Sequence, residues 1–291
     1  MKARREARGE MDATLGVIGA GVMGRGLAQA AAQAGLRVCV WDHDPRALEA
    51  LRPKLRDALR AAKLLGQTQA PTQEVLGRVE AVDALDRLGA ARWVVECVRE
   101  DAQTKRGLLA RLEAACPQAA CVASNTSAIP LWSLVGGLGD PGRVVGLHWM
   151  NPVPASSTVE LVRGARSRDE ALAEARALVE RLKKQALEVE DGPGFVVNRV
   201  LMLAIREAIA LVDEGRPPEL VDALMEGCLG HRAGPLATAD LIGLDTVLDT
   251  LKVLCEHLGP RYEPPPSLLA LVREGRLGRK AGRGFHRYEP A

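Results

Sequence analysis

Short runs of β-branched and apolar residues alternate with helical segments through the first two thirds of the chain. Runs at 14–18, 37–41, 93–98, 121–124, 144–149, 159–162 and 186–190 are typical of strands, and the stretches between several of them predict helices. Strands that alternate with helices favour a parallel sheet covered by helices on both faces. The sequence therefore predicts an α/β fold with a doubly wound sheet.

The pattern changes after the turn Asp191-Gly-Pro-Gly. Beyond this turn only helical patterns remain, with Gly- and Pro-rich turns between them. The predicted helices cover 197–214, 218–228, 239–258 and 267–274. We therefore expect an α/β domain over residues 1–190 and an all-helical domain over residues 191–291.

Composition argues against several classes of protein. The 39 Lys and Arg balance 37 Asp and Glu, which argues against a broadly basic, nucleic-acid-binding surface. No apolar run reaches the roughly 18 residues that a membrane helix needs. Residues 1–11 are charged and predict a disordered extension rather than a signal peptide, with Met1 and Met11 both open as translation starts. The six cysteines show no metal-ligand spacing, so we expect a cytoplasmic protein with reduced thiols and no metal.

A glycine-rich motif follows the first predicted strand and opens the first predicted helix. It consists of Gly19, Ala20, Gly21, Val22, Met23 and Gly24. Glycines at this GxGxxG spacing permit a tight turn and let backbone N–H groups approach a pyrophosphate. The next strand ends at Asp42, whose carboxylate would accept hydrogen bonds from ribose hydroxyls and repel a 2′-phosphate. The motif thus predicts an NAD site, although His43 and Arg46 leave NADP open.

His148 lies at the end of an apolar strand, and Glu160 begins the next apolar run. The two prolines between them fit a loop that returns Glu160 to His148. A carboxylate on one ring nitrogen orients the imidazole and leaves the other nitrogen to act as a general base. A structural histidine and a solvated glutamate at a strand end are the alternatives.

Two more polar groups follow predicted strands. The segment Ser124-Asn-Thr-Ser127 lies at the carboxyl edge, where open α/β sheets bind ligands, and is also typical of a polar turn or helix cap. No GxSxG motif indicates a serine nucleophile. Glu100 and Lys105, taken alone, favour an exposed ion pair or a charge at a helix N-terminus.

These segments together resemble the single-function type of 3-hydroxyacyl-CoA dehydrogenase. The resemblance runs from residue 14 to 288 through GAGVMG with Asp42, VVECVRED, ASNTSAIP, GLHWMNPVP…VELV, DGPGFVVNR, GPLATADLIGLDT and LGRKAGRGFHRY. It implies a Rossmann-type domain followed by a helical domain that binds substrate and forms a homodimer. It also implies NAD-dependent oxidation of 3-hydroxyacyl-CoA to 3-ketoacyl-CoA in fatty acid metabolism, including β-oxidation.

Position by position, the resemblance implies that His148 is the catalytic base and Glu160 its partner. Ser127 and Asn198 would bind the reacting oxygen or the thioester carbonyl. The residues expected to contact the nicotinamide side of the cofactor are Glu100, Lys105, Ser127, Asn151 and Lys280. In this family the helix after the second strand lies near the CoA nucleotide. The residues expected to bind CoA are therefore Lys54, Arg56, Arg60 and Ser127, with a solvated helix face as the alternative.

Two segments depart from the family pattern. The family commonly reads NPVPVMKLVE where this chain has NPVPASSTVE, and the HRAGP turn is less apolar than expected. These changes bear on acyl-chain length or substrate class. An L-gulonate 3-dehydrogenase-like enzyme for a free hydroxy or sugar acid is the main alternative. β-Hydroxyacid dehydrogenases of the 6-phosphogluconate type rely on a Lys in the second half of the chain. No Lys lies near Asn198 in this sequence, which disfavours that class. A non-catalytic NAD-binding protein is disfavoured because all four catalytic positions are present.

Overall fold

The structure is a computed structural model that describes residues 14–289. The predicted extension over residues 1–11 lies outside the described residues. The chain divides into two compact units. The first contains Pro130–Asp191 and the described residues up to Thr126, and the second contains Ser127–Ile129 and the described residues from Gly192 onward. Nothing in the sequence indicates that Ser127–Ile129 groups with the second unit.

An eight-stranded sheet runs through the first unit in the order β3-β2-β1-β4-β5-β6-β7-β8. The strands are β1 Thr14–Ile18, β2 Arg37–Trp41, β3 Val79–Val82, β4 Trp93–Glu96, β5 Cys121–Ser124, β6 Val144–Trp149, β7 Thr158–Arg163 and β8 Gln185–Glu190. Neighbouring strands pair in parallel except β6 and β7, which are antiparallel. The doubly wound sheet is confirmed, and the antiparallel pair is a departure from the all-parallel prediction. The Pro-rich loop after β6 reverses the chain there.

Helices cover this sheet. They are α1 Val22–Gln33, α2 Pro45–Leu64, α3 Thr72–Gly77, α4 Ala102–Ala115, α5 Leu131–Leu134 and α6 Asp169–Arg181. Asp44 caps α2 by accepting a hydrogen bond from the Arg46 N–H, and Leu51, Leu55 and Leu59 form its buried stripe. The sequence did not predict α3 or β3. In β3 only Val79 and Val82 are buried, so the strand has neither alternation nor an apolar run.

Strand register places several polar residues at one edge of the sheet. Ile18, at the end of β1, is level with Trp41 of β2 and Glu96 of β4. The glycine-rich turn, Asp42 and the loop after β4 therefore emerge together at the carboxyl edge, where open α/β sheets bind ligands.

The second unit is helical, as predicted. Its helices are α7 Val197–Asp213, α8 Pro218–Leu229, α9 Pro235–Ile242, α10 Leu244–Leu258 and α11 Pro266–Arg273. The fully buried residues Ile205, Leu251 and Tyr262 lie in its core. The single helix predicted over 239–258 is wrong, because the chain breaks at Gly243, whose φ is 102°.

Candidate active site

Three glycines shape the turn between β1 and α1. Gly19 has φ +98°, and a Cβ there would lie 2.8 Å from the Cys97 carbonyl oxygen. A Cβ on Gly24 would lie 1.8 Å from the Gly19 oxygen, so no larger residue fits beneath the turn. A Cβ on Gly21 would meet nothing within 4 Å. The helix N-terminus above Gly21 is therefore open to an anionic group.

Asp42 is fixed beside this turn. Its Oδ2 accepts a hydrogen bond of 2.7 Å from the Ala20 N–H, and its Oδ1 accepts one of 2.9 Å from the Asp44 N–H. The exposed His43 lies with its Nδ1 3.0 Å from Oδ1. A cavity of about 860 Å³ next to Asp42 is lined by residues that include His43 and Arg99. The open turn, the fixed carboxylate and this cavity fit an adenine dinucleotide.

Lys105 is fully buried, so the exposed ion pair that its spacing with Glu100 favours is wrong. Its Nζ donates to Glu96 Oε1 at 2.7 Å and to the Val98 carbonyl at 3.3 Å, and lies 3.3 Å from Glu100 Oε2. Burial opposes the charge of the ammonium, but the two carboxylates outweigh it and raise the pKa of Lys105. Three acceptors thus match the three N–H bonds of the ammonium.

Glu96 holds this network together, and the sequence analysis missed it. The side chain is fully buried. Its Oε1 also accepts from the Val98 N–H at 2.7 Å, and its Oε2 accepts from the Ser124 hydroxyl at 2.7 Å. Glu100 in turn accepts a hydrogen bond of 2.6 Å from the Thr126 hydroxyl. The available signal was a carboxylate inside the apolar run VVEC.

His148 and Glu160 lie opposite each other on the antiparallel strands β6 and β7. The distance from His148 Nδ1 to Glu160 Oε2 is 2.6 Å, and both residues are 6% exposed. The structure thus brings the predicted pair together, and Glu160 is not a solvated strand-end charge. Asn125 Oδ1 accepts a hydrogen bond of 3.0 Å from the Trp149 N–H, which ties the end of β5 to the end of β6.

The remaining predicted residues belong to both units. In the second unit, Asn198 Nδ2 donates to the Ser127 carbonyl oxygen at 2.8 Å. Lys280, also in the second unit, pairs with Asp245 at 2.5 Å. In the first unit, Asn151 is exposed and precedes a cis peptide bond to Pro152.

The three cations predicted to bind CoA do not share one surface. Lys54 lines a cavity of about 880 Å³ between α1, α2 and the loop after β6. Arg56 and Arg60 are exposed on α2 and are absent from the lining of this cavity. The structure instead adds Arg25 of α1 to the lining, a residue that the sequence analysis missed. Lys54 and Arg56 are two positions apart on α2, so they project from different faces of the helix and only Lys54 lines the cavity.

The glycine-rich turn, Asp42 and the His–Glu pair at one sheet edge are typical of a nicotinamide-dependent dehydrogenase. Residues 14–192 match the family model for the 3-hydroxyacyl-CoA dehydrogenase NAD-binding domain, and residues 194–288 match that for the C-terminal domain. The chain therefore belongs to the 3-hydroxyacyl-CoA dehydrogenase family. The predicted family, fold class and NAD cofactor are confirmed.

Relatives support this assignment over nearly the whole chain. A "probable 3-hydroxybutyryl-CoA dehydrogenase" of Bacillus subtilis is 42% identical over 94% of this chain and 96% of its own length. The crystal structure of (S)-3-hydroxybutyryl-CoA dehydrogenase from Ralstonia eutropha has a TM-score of 0.87 at 37% identity, covering 95% of this chain and 99% of the other. The structure of FadB2 from Mycobacterium tuberculosis has a TM-score of 0.91 at 37% identity, covering 94% and 98%.

Proposed function

We propose that this protein catalyses the reversible, NAD-dependent oxidation of short 3-hydroxyacyl-CoA esters such as 3-hydroxybutyryl-CoA, with His148 as the general base. The observation that carries the proposal is the buried contact of 2.6 Å between His148 Nδ1 and Glu160 Oε2. It lies in a chain of the 3-hydroxyacyl-CoA dehydrogenase family whose relatives are named for the four-carbon ester.

The geometry of the pair assigns the proton transfer. Because Nδ1 of His148 faces Glu160, Nε2 is the nitrogen that takes the proton from the substrate hydroxyl. When bound, NAD accepts the hydride from the carbon that carries this hydroxyl. The ring gains a positive charge as it takes the proton, and the Glu160 carboxylate stabilises that charge. In the opposite direction His148 donates the proton to the ketone oxygen. Such transfer typically contributes about 10²- to 10⁴-fold to the rate.

The other site residues receive supporting roles in this proposal. Ser127 and Asn198 would bind the reacting oxygen or the thioester carbonyl, and Glu100, Asn151 and Lys280 would contact the nicotinamide side of the cofactor. Lys105 is assigned a positioning role, because its ammonium is fully buried and has acceptors for all three N–H bonds. It holds Glu100 and the loop after β4 in place.

We also propose that the protein is a homodimer formed through the second unit and works in the cytoplasm in β-oxidation or related acyl-CoA metabolism. Support for the dimer comes from Leu220 and Leu224, one turn apart on the same face of α8, which are 49% and 53% exposed. A helix face this apolar is typical of an interface. The described residues contain no helix that is long and apolar enough to cross a bilayer.

Replacing Leu224 by Glu should disrupt this interface. Light scattering is expected to show a particle of twice the 31.1 kDa chain mass for the unaltered protein and a shift toward the single-chain mass for the variant. The exposed Leu64 of the first unit offers a matched control, since Leu64→Glu should leave the mass unchanged. A single-chain mass for the unaltered protein would contradict the dimer.

The direct test of the activity is NADH oxidation with acetoacetyl-CoA and longer 3-ketoacyl-CoA esters, beside free acetoacetate. We expect the CoA ester to be reduced and the free acid to be a poor substrate. Equal reduction of acetoacetate would favour an enzyme for free hydroxy acids. No reduction of any CoA ester would overturn the proposed function.

A further inference from the structure

The loop after β6 (residues 150–157) joins the two strands on which His148 and Glu160 lie opposite each other. It ends directly before β7, so its shape decides where that strand begins. The structure describes the whole loop, and within it only Val153 is buried. Side-chain packing therefore fixes little of its conformation, and hydrogen bonds must hold it instead.

Lys184 donates hydrogen bonds to this loop from outside it. The residue directly precedes β8, and its ammonium donates to the carbonyl oxygen of Ser156 and, at 3.5 Å, to that of Pro154. The next residue, Gln185, donates its backbone N–H to the Ser157 carbonyl oxygen at 2.8 Å. Consecutive residues thus bind consecutive carbonyl groups of the loop immediately before β7 begins.

The ammonium of Lys184 lies in an unfavourable environment. The residue is half-buried, and no carboxylate pairs with it among residues 14–289. Burial lowers the pKa of Lys184, because the ammonium loses solvation and no counter-charge offsets that loss. An apolar side chain would avoid this cost, so the hydrogen bonds to the loop are the reason for a cation at this position.

The backbone before Lys184 is a second, independent sign of a special role. Helix α6 ends in a Schellman motif, in which the Lys183 N–H donates to the Glu180 carbonyl at 2.8 Å and the Lys184 N–H donates to the Val179 carbonyl at 3.1 Å. The motif holds Lys183 at φ 57°, a left-handed conformation that favours glycine. Such backbone strain is concentrated at functional positions. A fixed turn, rather than a free chain, therefore presents the ammonium of Lys184 to the loop.

We propose that Lys184 is a positioning residue for the reaction: its ammonium holds the end of the loop after β6 so that β7 presents Glu160 to His148. The connection runs through Ser156, whose carbonyl accepts from Lys184 and whose hydroxyl donates to the Thr158 carbonyl at 3.0 Å. Thr158 begins β7, two residues before Glu160. The inference rests on the proposed function, because it assumes that Glu160 supports His148 in proton transfer.

The test compares Lys184→Met with Lys184→Arg and with Lys183→Gln, a control that removes one positive charge from the exposed neighbouring residue. Steady-state kinetics with acetoacetyl-CoA and NADH should give a kcat about 10-fold lower for Lys184→Met, because a small displacement of Glu160 weakens its support of His148. Lys184→Arg keeps donors for the two carbonyl groups and should recover most of the kcat. Lys183→Gln should match the unaltered protein.

A double-variant cycle separates positioning from a general loss of structure. If Lys184 acts through Glu160, Lys184→Met should lower kcat less than about twofold in a Glu160→Gln background, where the carboxylate is already absent. A general loosening of the fold would lower kcat by the same factor in both backgrounds. Thermal unfolding of each variant measures stability beside the kinetics. Lys184→Gln takes the place of Lys184→Met in the cycle if the latter does not fold.

Three results would overturn the inference. The first is a kcat for Lys184→Met within about twofold of the unaltered protein. The second is a loss by the same factor with and without Glu160→Gln. The third is a loss as large in Lys183→Gln or in Lys184→Arg, which would show that the hydrogen bonds to the loop are not the cause. Failure of the proposed function shows differently, as absence of activity toward acetoacetyl-CoA in the unaltered protein.

Discussion

Both units bury charged side chains, but they satisfy those charges in different ways. At the sheet edge of the first unit, Glu96 and Lys105 are fully buried and pair with each other at 2.7 Å. In the second unit, Asp222 and Asp240 are 6% and 1% exposed and accept mainly backbone N–H groups. A buried pair depends on both partners being charged, whereas a carboxylate held by backbone amides depends on the fold of the segment that it binds.

The difference follows from what each region must do. The two aspartates hold the C-terminal segment: Asp240 accepts from the N–H groups of Phe285 and His286 and from the Tyr288 hydroxyl at 3.0 Å or less. Burial and the nearby Asp240 charge raise the pKa of Tyr288, so the phenol stays a donor. At the sheet edge, the buried Glu96–Lys105 pair instead fixes the loop after β4, through the Val98 backbone and Glu100.

The largest expected effect concerns the pair that transfers the proton. His148→Gln should lower kcat at least about 100-fold, because it removes the ring nitrogen that accepts the proton, while NAD binding and the folded state are retained. Steady-state kinetics and NADH titration measure the two quantities separately. Glu160→Gln should also lower kcat, since the charged ring loses its partner. A near-normal kcat for His148→Gln would remove this residue from the mechanism.

Breaking the buried Glu96–Lys105 pair at the sheet edge should lower the free energy of unfolding more than the other changes considered below. Lys105→Met leaves the Glu96 carboxylate buried without its counter-charge and should lower the free energy of unfolding by about 3–5 kcal/mol. The double variant Glu96→Gln/Lys105→Met should recover part of that loss, because neither charge then remains. Urea unfolding of the single and double variants measures the coupling. Additive losses would show that the two charges do not stabilise each other.

The matching change in the second unit should cost less. Asp240→Asn keeps one acceptor oxygen for the backbone N–H groups and leaves no charge behind, so we expect a loss of about 1–3 kcal/mol. The loss should be local to the C-terminal segment. Limited trypsin digestion should show faster cleavage at Arg279, Lys280 and Arg283 in the variant. If Asp240→Asn cost as much as Lys105→Met, the contrast between the two regions would fail.

The same contrast explains what the sequence could predict. Apolar runs and glycine turns report burial and backbone shape, so they identified seven of the eight strands, the NAD turn and the helical second unit. These patterns do not show which side chains contact each other in the folded protein. The burial of Lys105 depends on Glu96, which is level with Ile18 through the register of β1 and β4, and no local pattern encodes that pairing. Likewise, charge spacing on α2 could not show that Lys54 lines a cavity and Arg56 does not.

A smaller, pH-dependent effect should distinguish exposed pairs from the buried one. Glu174 of α6 accepts hydrogen bonds from Arg92 at 2.7 and 2.8 Å and from the Trp93 ring N–H at 3.0 Å. The Arg92 hydrogen bonds outweigh burial and lower the pKa of Glu174. Because the pKa of Glu174 is lower in the folded state, its ionised carboxylate stabilises the fold at pH values above the ordinary glutamate pKa of about 4.3. This contribution is lost as the pH falls through the lower pKa of the folded state.

Glu174→Gln should therefore lower the free energy of unfolding by about 1 kcal/mol at pH 7, a modest value because Arg92 is 45% exposed on its side chain. The gap between the variant and the unaltered protein should shrink as the pH is lowered below about 4.3. Urea unfolding at a series of pH values measures this gap. The loss caused by Lys105→Met should persist through the same neutral-to-acid range, because the raised pKa of Lys105 keeps its ammonium charged there. A gap for Glu174→Gln that stayed constant with pH would show that Glu174 contributes through packing rather than through its charge.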